Sequence, residues 1–85
     1  GGRTVMMERL TGRCYVDLYA LERLLSSLDG IHRAEAYVRW GEEHKLVLTA
    51  NLYCSQAPQL DRLNEYLKQH WDEKLLPIDF RVIRD

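Results

Sequence analysis

The sequence lacks long hydrophobic runs, an excess of charge of one sign, and clustered cysteines. No apolar stretch approaches the roughly 20 residues that a membrane-spanning helix needs, and no signal-peptide pattern opens the chain. The net charge is −1, with acidic and basic residues interleaved, so nothing marks a surface for nucleic acid or an anionic membrane. Cys14 and Cys54 are far apart and fit no metal-site spacing. These features predict a cytoplasmic protein with two reduced thiols.

Residue patterns typical of a catalytic centre are also missing. His32, His44 and His70 are scattered, with no two at ligand spacing beside a carboxylate, so we expect boundary or surface histidines and no metal site. The acid pairs at 42–43 and 72–73 are adjacent in sequence, so their side chains point apart and are expected to be solvated. The glycines form no phosphate-binding loop. The sequence therefore predicts no catalytic residue.

What is present is the composition of an ordinary globular domain, with 46% hydrophobic and 29% charged residues. Residues 4–10 and 14–16 read as short strands separated by a turn. Asp17 is a good N-cap, because its carboxylate can accept hydrogen bonds from the free N–H groups of the first helical turn. Leucines then recur at helical spacing until Gly30, which predicts an amphipathic helix over 17–29.

The rest of the sequence contains both strand patterns, with a period of two residues, and one more helical pattern. Residues 31–40 and 46–53 have period-two patterns and predict an antiparallel hairpin around a polar loop, with its second strand at the centre of the sheet. Pro58 is expected in the first turn of a second helix, whose leucines continue at helical spacing to Trp71. Residues 80–83 predict a last strand.

This order of elements predicts an α+β fold, a two-layer sandwich in which a small, mainly antiparallel sheet carries two helices on one face. The length of 85 residues allows a single domain with a thin core. Trp40 and Trp71 are expected in that core or at the edge of a contact surface.

Three segments carry a family resemblance. Residues 16–25, VDLYALERLL, are similar to an apolar–acidic stretch followed by I-E-x-x-L, and residues 28–38, LDGIHRAEAYV, to h-P-G-V-x-x-A-x-V with Asp29 in place of proline. Residues 75–83, LLPIDFRVI, are similar to h-h-P-x-x-F-x-x-h. In this order they resemble the C-terminal subdomain of the acyl-adenylate-forming (AMP-binding) enzyme superfamily. That superfamily includes acyl-CoA synthetases, adenylation domains of peptide synthetases and luciferases.

The N-terminal segment resembles the hinge and loop of that superfamily, G-R-x-D-x-x-h-K-h-x-G, with valine in place of the hinge aspartate. The resemblance implies a hinge at Arg3, Thr4 and Val5 and a loop facing the thiol acceptor at Gly12 and Arg13. It divides the single domain 1–85 into a hinge, N-terminal strand and loop (1–13) and a helix-strand-strand-helix-strand body (14–85).

In the superfamily, ATP and a carboxylate give an acyl-adenylate and pyrophosphate. The C-terminal subdomain then rotates, and a thiol of CoA or of carrier-protein phosphopantetheine takes the acyl group. The resemblance therefore implies a large N-terminal AMP-binding domain in cis and CoA or an acyl carrier protein as partner. ATP, Mg²⁺ and CoA or phosphopantetheine are implied for the intact enzyme, and no cofactor for this segment alone.

The superfamily's catalytic lysine lies beyond the P-x-x-F strand, and neither Lys74 nor Arg84 matches it. We therefore expect residues 1–85 to be inactive alone. Two other interpretations stay open: a catalytically silent interaction module, and a small-ligand-sensing domain with a ferredoxin-like sandwich.

Overall fold

The computed structural model describes residues 3–9 and 12–84. Leu10 and Thr11, expected at the end of the first strand and in the turn after it, lie outside the described residues, as do positions 1, 2 and 85. The elements of the described residues follow one another along the chain as β1 (Thr4–Arg9), β2 (Gly12–Asp17), α1 (Leu18–Ser26), β3 (Ile31–Trp40), β4 (Leu46–Cys54), α2 (Leu60–His70) and β5 (Asp79–Arg84). Two single-turn 3₁₀ helices, Glu42–His44 and Glu73–Leu75, lie in connecting segments.

The α+β class is confirmed, but the strands form two sheets where one was expected. Among the described strands, β1 and β2 pair with each other and with no third strand, as an antiparallel hairpin. The second sheet has the order β3-β4-β5, with β3 antiparallel and β5 parallel to the central strand β4. The hairpin does not extend the second sheet, because it contacts the rest of the fold through one of its faces. On that face, Met7 and Val16 are fully buried in the common core. The boundary expected between the N-terminal segment 1–13 and the body 14–85 lies inside β2.

The first helix begins where the sequence predicts. Asp17 is its N-cap, and the Asp17 Oδ1 accepts a hydrogen bond from the Ala20 N–H at 3.1 Å. The helix ends at Ser26, three residues earlier than expected. Its last turn is closed by serine hydroxyls, with Ser27 Oγ donating to the Leu24 carbonyl at 2.6 Å. Such bonds compete with a continued helix, and Gly30 at φ +87° then turns the chain into β3.

The second helix begins later than expected. Gln59 is the N-cap of α2 and has extended backbone angles, φ −80° and ψ 107°. Pro58 therefore precedes the helix, and its placement in the first helical turn was wrong. The chain leaves the helix at Trp71, whose backbone is again extended. Cys54, one residue beyond the strand expected over 46–53, is the buried last residue of β4.

One group of buried side chains joins both sheets and both helices. It contains hairpin, helix and sheet residues and two from the segment before β5; the fully or almost fully buried members are Met7, Val16, Leu18, Leu21, Leu25, Ile31, Ala34, Ala36, Leu48, Ala50, Leu52, Leu63, Leu67, Leu75 and Ile78. Trp71 packs against this core. Trp40 does not, with 69% of its surface exposed, because it is the last residue of β3. Across the described residues, no helix has the length and apolar character to cross a membrane.

Candidate functional site

The tip of the β1–β2 hairpin carries the two residues expected to face a thiol acceptor. Gly12 pairs with Arg9 at the end of the ladder and has φ +121°, a conformation that side chains disfavour. Apart from Gly12 itself and its chain neighbours, no atom of the described residues lies within 4 Å of the place where a Cβ on Gly12 would stand. The Arg13 side chain is 70% exposed, and its Nε lies 3.8 Å from Glu8 Oε1. The tip therefore offers open backbone beside an exposed cation.

The three residues expected at a hinge lie at the other end of the hairpin. Thr4 and Val5 belong to β1 and pair with Asp17 and Val16. Arg3 precedes the strand, and its carbonyl accepts a hydrogen bond from the Leu18 N–H at 2.8 Å. Five residue-to-residue steps along the strand lead from Thr4 to Arg9, a rise of about 17 Å. The structure therefore keeps the expected hinge and the expected acceptor-facing loop apart, at opposite ends of one ladder.

Arg3 also makes a side-chain contact that the sequence did not reveal. Its guanidinium forms an ion pair with Glu22 Oε2 on α1. The same carboxylate oxygen accepts a hydrogen bond from the Ala36 N–H of β3 at 2.8 Å. Glu22 matches the glutamate of the I-E-x-x-L motif, so its position on the helix was readable, but its two partners come from other parts of the fold.

The sheet face opposite the helices carries a second group of polar side chains. The Arg33 guanidinium carbon lies 4.2 Å from the centre of the Tyr53 ring, and the Tyr53 hydroxyl donates to Glu35 Oε1. This hydrogen bond to a carboxylate raises the pKa of Tyr53, because it stabilises the protonated phenol. Further along the face, the Tyr37 hydroxyl donates to Asn51 Oδ1 at 3.2 Å. Strand alternation places these side chains on one face.

No ligand set for a metal ion exists in the part of the chain that the structure describes, because it holds no group of three His, Cys, Asp or Glu side chains that could bind one.

The solved structures with a similar fold include three enzymes. A four-domain nonribosomal peptide synthetase bound to AMP and glycine matches 92% of this chain with a TM-score of 0.74 and 22% identity, over 6% of its own length. The o-succinylbenzoate CoA synthetase of Bacillus subtilis, bound to a product analogue, matches 100% with a TM-score of 0.78 and 16% identity, over 17% of its length. The amide bond synthetase McbA of Marinactinospora thermotolerans matches 96% with a TM-score of 0.73 and 13% identity, over 16% of its length.

These likenesses confirm, at the level of the fold, the resemblance seen in the sequence motifs. A peptide synthetase and a CoA synthetase are both among the enzyme types that the motifs indicated. The chain spans only 6–17% of the length of the matched structures. No protein-family model matches the sequence, and neither does any curated protein.

Proposed function

We propose that this chain is the C-terminal lid domain of an AMP-forming acyl-CoA synthetase or adenylation enzyme, inactive when separated from the rest of that enzyme. The observation that carries the proposal is the fold likeness over 92–100% of the chain to two such enzymes. One of them is bound to AMP and an amino acid, and the other to an analogue of a CoA product. Those ligands correspond to the two half-reactions, adenylation and thioester formation.

In this proposal a large AMP-binding domain in cis supplies the ATP, Mg²⁺ and acyl sites. The carboxylate of the acyl substrate attacks the α-phosphorus of ATP there, and pyrophosphate leaves. The thiol of CoA or phosphopantetheine then loses its proton and attacks the acyl carbonyl carbon, and AMP leaves. The lid contributes by rotating between the two steps, as domain closures do in many enzymes.

The hairpin tip is the part of the lid that we place next to the thiol acceptor. Gly12 supports this role, since its conformation excludes a side chain and its surroundings are open. Arg13 adds an exposed positive charge beside it, suited to the phosphates of CoA or of a phosphopantetheine arm. At the opposite end of the ladder, the segment from Arg3 to Val5 is the side of the lid that adjoins the hinge.

The reading frame of the parent gene tests the assignment first. We expect the codons upstream of Arg3 to encode a large AMP-binding domain, and the full-length protein to act in the cytoplasm. That protein should catalyse ATP–pyrophosphate exchange with at least one member of a panel of amino acids and short carboxylic acids, whereas residues 1–85 alone should not. An upstream frame without such a domain would overturn the proposal.

A second candidate, a catalytically silent interaction module, is favoured by one observation. Val5 stands where the superfamily has its hinge aspartate, and it pairs with Val16 and packs against the core. A full-length parent that contains the large domain, yet shows no pyrophosphate exchange with any acid of the panel, would favour this candidate over the active enzyme.

A further inference from the structure

The two edges of the three-stranded sheet are protected to different degrees. β4 lies between β3 and β5, so each outer strand has one side without a partner strand among the described residues. On β3, Glu22 of α1 accepts a hydrogen bond from the Ala36 N–H at 2.8 Å, and the ladder with β4 is irregular between Ile31 and Arg33. Both features oppose the addition of a further strand. β3 is therefore the protected edge.

β5 has no comparable protection among the described residues. It runs from Asp79 to Arg84, pairs in unbroken register with β4, and contains no proline or glycine. In a parallel ladder the backbone N–H and C=O groups of every second residue point away from the partner strand, so β5 presents a row of such groups at the sheet edge. Its last four residues are exposed, and they include the apolar Val82 and Ile83. A further strand can pair with an edge of this kind.

The charges of β5 restrict which strand can pair there. Arg81 and Arg84 carry the same sign, and like charges directly opposite each other destabilise a strand pair. An antiparallel copy of β5 centred on Val82 avoids this conflict. In that register Val82 lies opposite its counterpart, and Arg81 lies opposite Ile83. Arg84 lies opposite Phe80, whose ring can contact the guanidinium. A copy centred on Arg81 would instead place two guanidinium groups directly opposite each other.

The same register keeps the two faces of the sheet distinct. Phe80 packs against the common core, and Val82 shares its face because side chains alternate along a strand. Phe80 and Val82 of one copy therefore continue into Val82 and Phe80 of the other as one apolar stripe. On the opposite face, the aliphatic part of Arg81 covers Ile83 of the other copy. The net charge of −1 adds little repulsion between copies.

We propose that β5 is a self-association edge, through which two copies of this chain pair antiparallel about Val82. The dimer has one sheet of six strands, three from each copy. The protected β3 lies at both ends of that sheet, so assembly stops at the dimer. One short strand makes a small interface, and dimerisation is therefore weak and dependent on concentration. This inference goes beyond the proposed function and uses none of it.

Sedimentation velocity of the 85-residue chain, over about a hundredfold range of concentration, tests the dimerisation. We expect a monomer–dimer equilibrium. Val82→Lys places two ammonium groups opposite each other at the two-fold axis and should raise the dissociation constant by about tenfold or more. Because Val82 is 36% exposed, the variant should stay folded, which circular dichroism checks.

Tyr19→Lys is the matched control for Val82→Lys. It also replaces an exposed, largely apolar side chain with lysine. Tyr19 lies on α1, however, and α1 packs against β3 at the other edge of the sheet. The dissociation constant of this variant should equal that of the unmodified chain.

Isotope-filtered NOE spectra identify the register without any substitution. In a mixture of ¹³C,¹⁵N-labelled and unlabelled chains, the contacts between copies should join Arg81 to Ile83 and Val82 to its counterpart. If Val82→Lys fails to fold, this measurement still decides the proposal.

The proposal is overturned if the chain remains monomeric over the whole range of concentration, or if the contacts between copies join other elements. It is equally overturned if Tyr19→Lys weakens the dimer as much as Val82→Lys does. Neither result depends on catalysis, so a parent enzyme without adenylation activity would contradict the proposed function and leave this inference standing.

Discussion

Arg39 on β3 donates a hydrogen bond to Asp79 at the start of β5, with 2.5 Å between Nη2 and Oδ2. The pair crosses the central strand β4, where Thr49 is fully buried opposite Asp79 in the ladder. β5 is otherwise an exposed edge strand. The ion pair therefore connects the two outer strands of the sheet and fixes the start of the strand that ends the described chain.

Replacing Asp79 with asparagine should loosen β5. The amide keeps the volume and an acceptor oxygen but loses the charge, and the side chains of Arg39 and Asp79 are 33% and 41% exposed. The free energy of unfolding in urea should fall by about 0.5–1 kcal/mol, and the difference should shrink in about 1 M NaCl. Glu43→Gln breaks the far more exposed pair with Lys45 and should leave the urea midpoint unchanged. Equal effects of the two substitutions would show that the Arg39–Asp79 pair adds nothing.

Placing a side chain on Gly12 should affect both stability and the thiol step. Gly12→Ala forces alanine to φ +121°, which should cost about 1–3 kcal/mol in urea unfolding. In the full-length parent, it should also slow thioester formation more than pyrophosphate exchange, because in the proposed function only the second half-reaction brings the thiol to the tip.

Gly30→Ala is the matched control for Gly12→Ala. Gly30 also has positive φ and open surroundings, but it lies after α1 and away from the hairpin. It should lower stability by a similar amount without changing the ratio of the two half-reactions. An equal change of that ratio in both variants would show that the hairpin tip has no specific role in thioester formation.

The N-cap of α1 provides a third prediction. Asp17→Ala removes the side-chain acceptor of the Ala20 N–H and should lower the free energy of unfolding by about 1 kcal/mol. Asp17→Asn retains an acceptor and should lose much less. Thermal or urea unfolding followed by circular dichroism distinguishes them, and equal losses in both variants would contradict the cap.

The raised pKa of Tyr53 predicts that the stability of the fold depends on pH in the alkaline range. The hydrogen bond to Glu35 raises its pKa in the folded state above the ordinary value of 10.0, so the folded state binds the phenolic proton more tightly than the unfolded state. The resulting stabilisation is fully present below about pH 10 and is lost as pH rises through the folded-state pKa. Tyr53→Phe should remove this contribution to the slope of stability against pH.

Glu35→Gln is the companion test of the cause. Without the carboxylate, the pKa of Tyr53, followed by NMR of its ring carbon, should fall towards the ordinary value. An unchanged pKa in Glu35→Gln would show that Glu35 is not what raises it.

Local signals predicted the elements of this fold well. The alternation over 31–40 predicted both ends of β3, and Asp17 was found as the N-cap because a cap depends on a few neighbouring residues. Two further features depend on longer-range determinants. Whether strands join one sheet or two depends on packing of the hairpin face, and the burial of Trp40 depends on how far the core extends along β3.

The candidate site shows the same division between local and distant information. A glycine at a hairpin turn suggests positive φ from sequence alone, and Gly12 has it. The partners of Glu22 are 19 residues before it and 14 residues after it, and Arg39 and Asp79 are 40 residues apart. Such pairs cannot be predicted from sequence spacing, because only the folded structure brings the two residues together.

The central claim, that this domain serves the second half-reaction as a lid, is tested most directly in the full-length parent protein. Thioester formation from purified acyl-adenylate and CoA, or holo carrier protein, should be measured for the intact protein and for a variant that lacks residues 1–85. The deletion should abolish thioester formation, whereas the large domain should still bind the acyl-adenylate. Thioester formation at the intact rate after the deletion would contradict it.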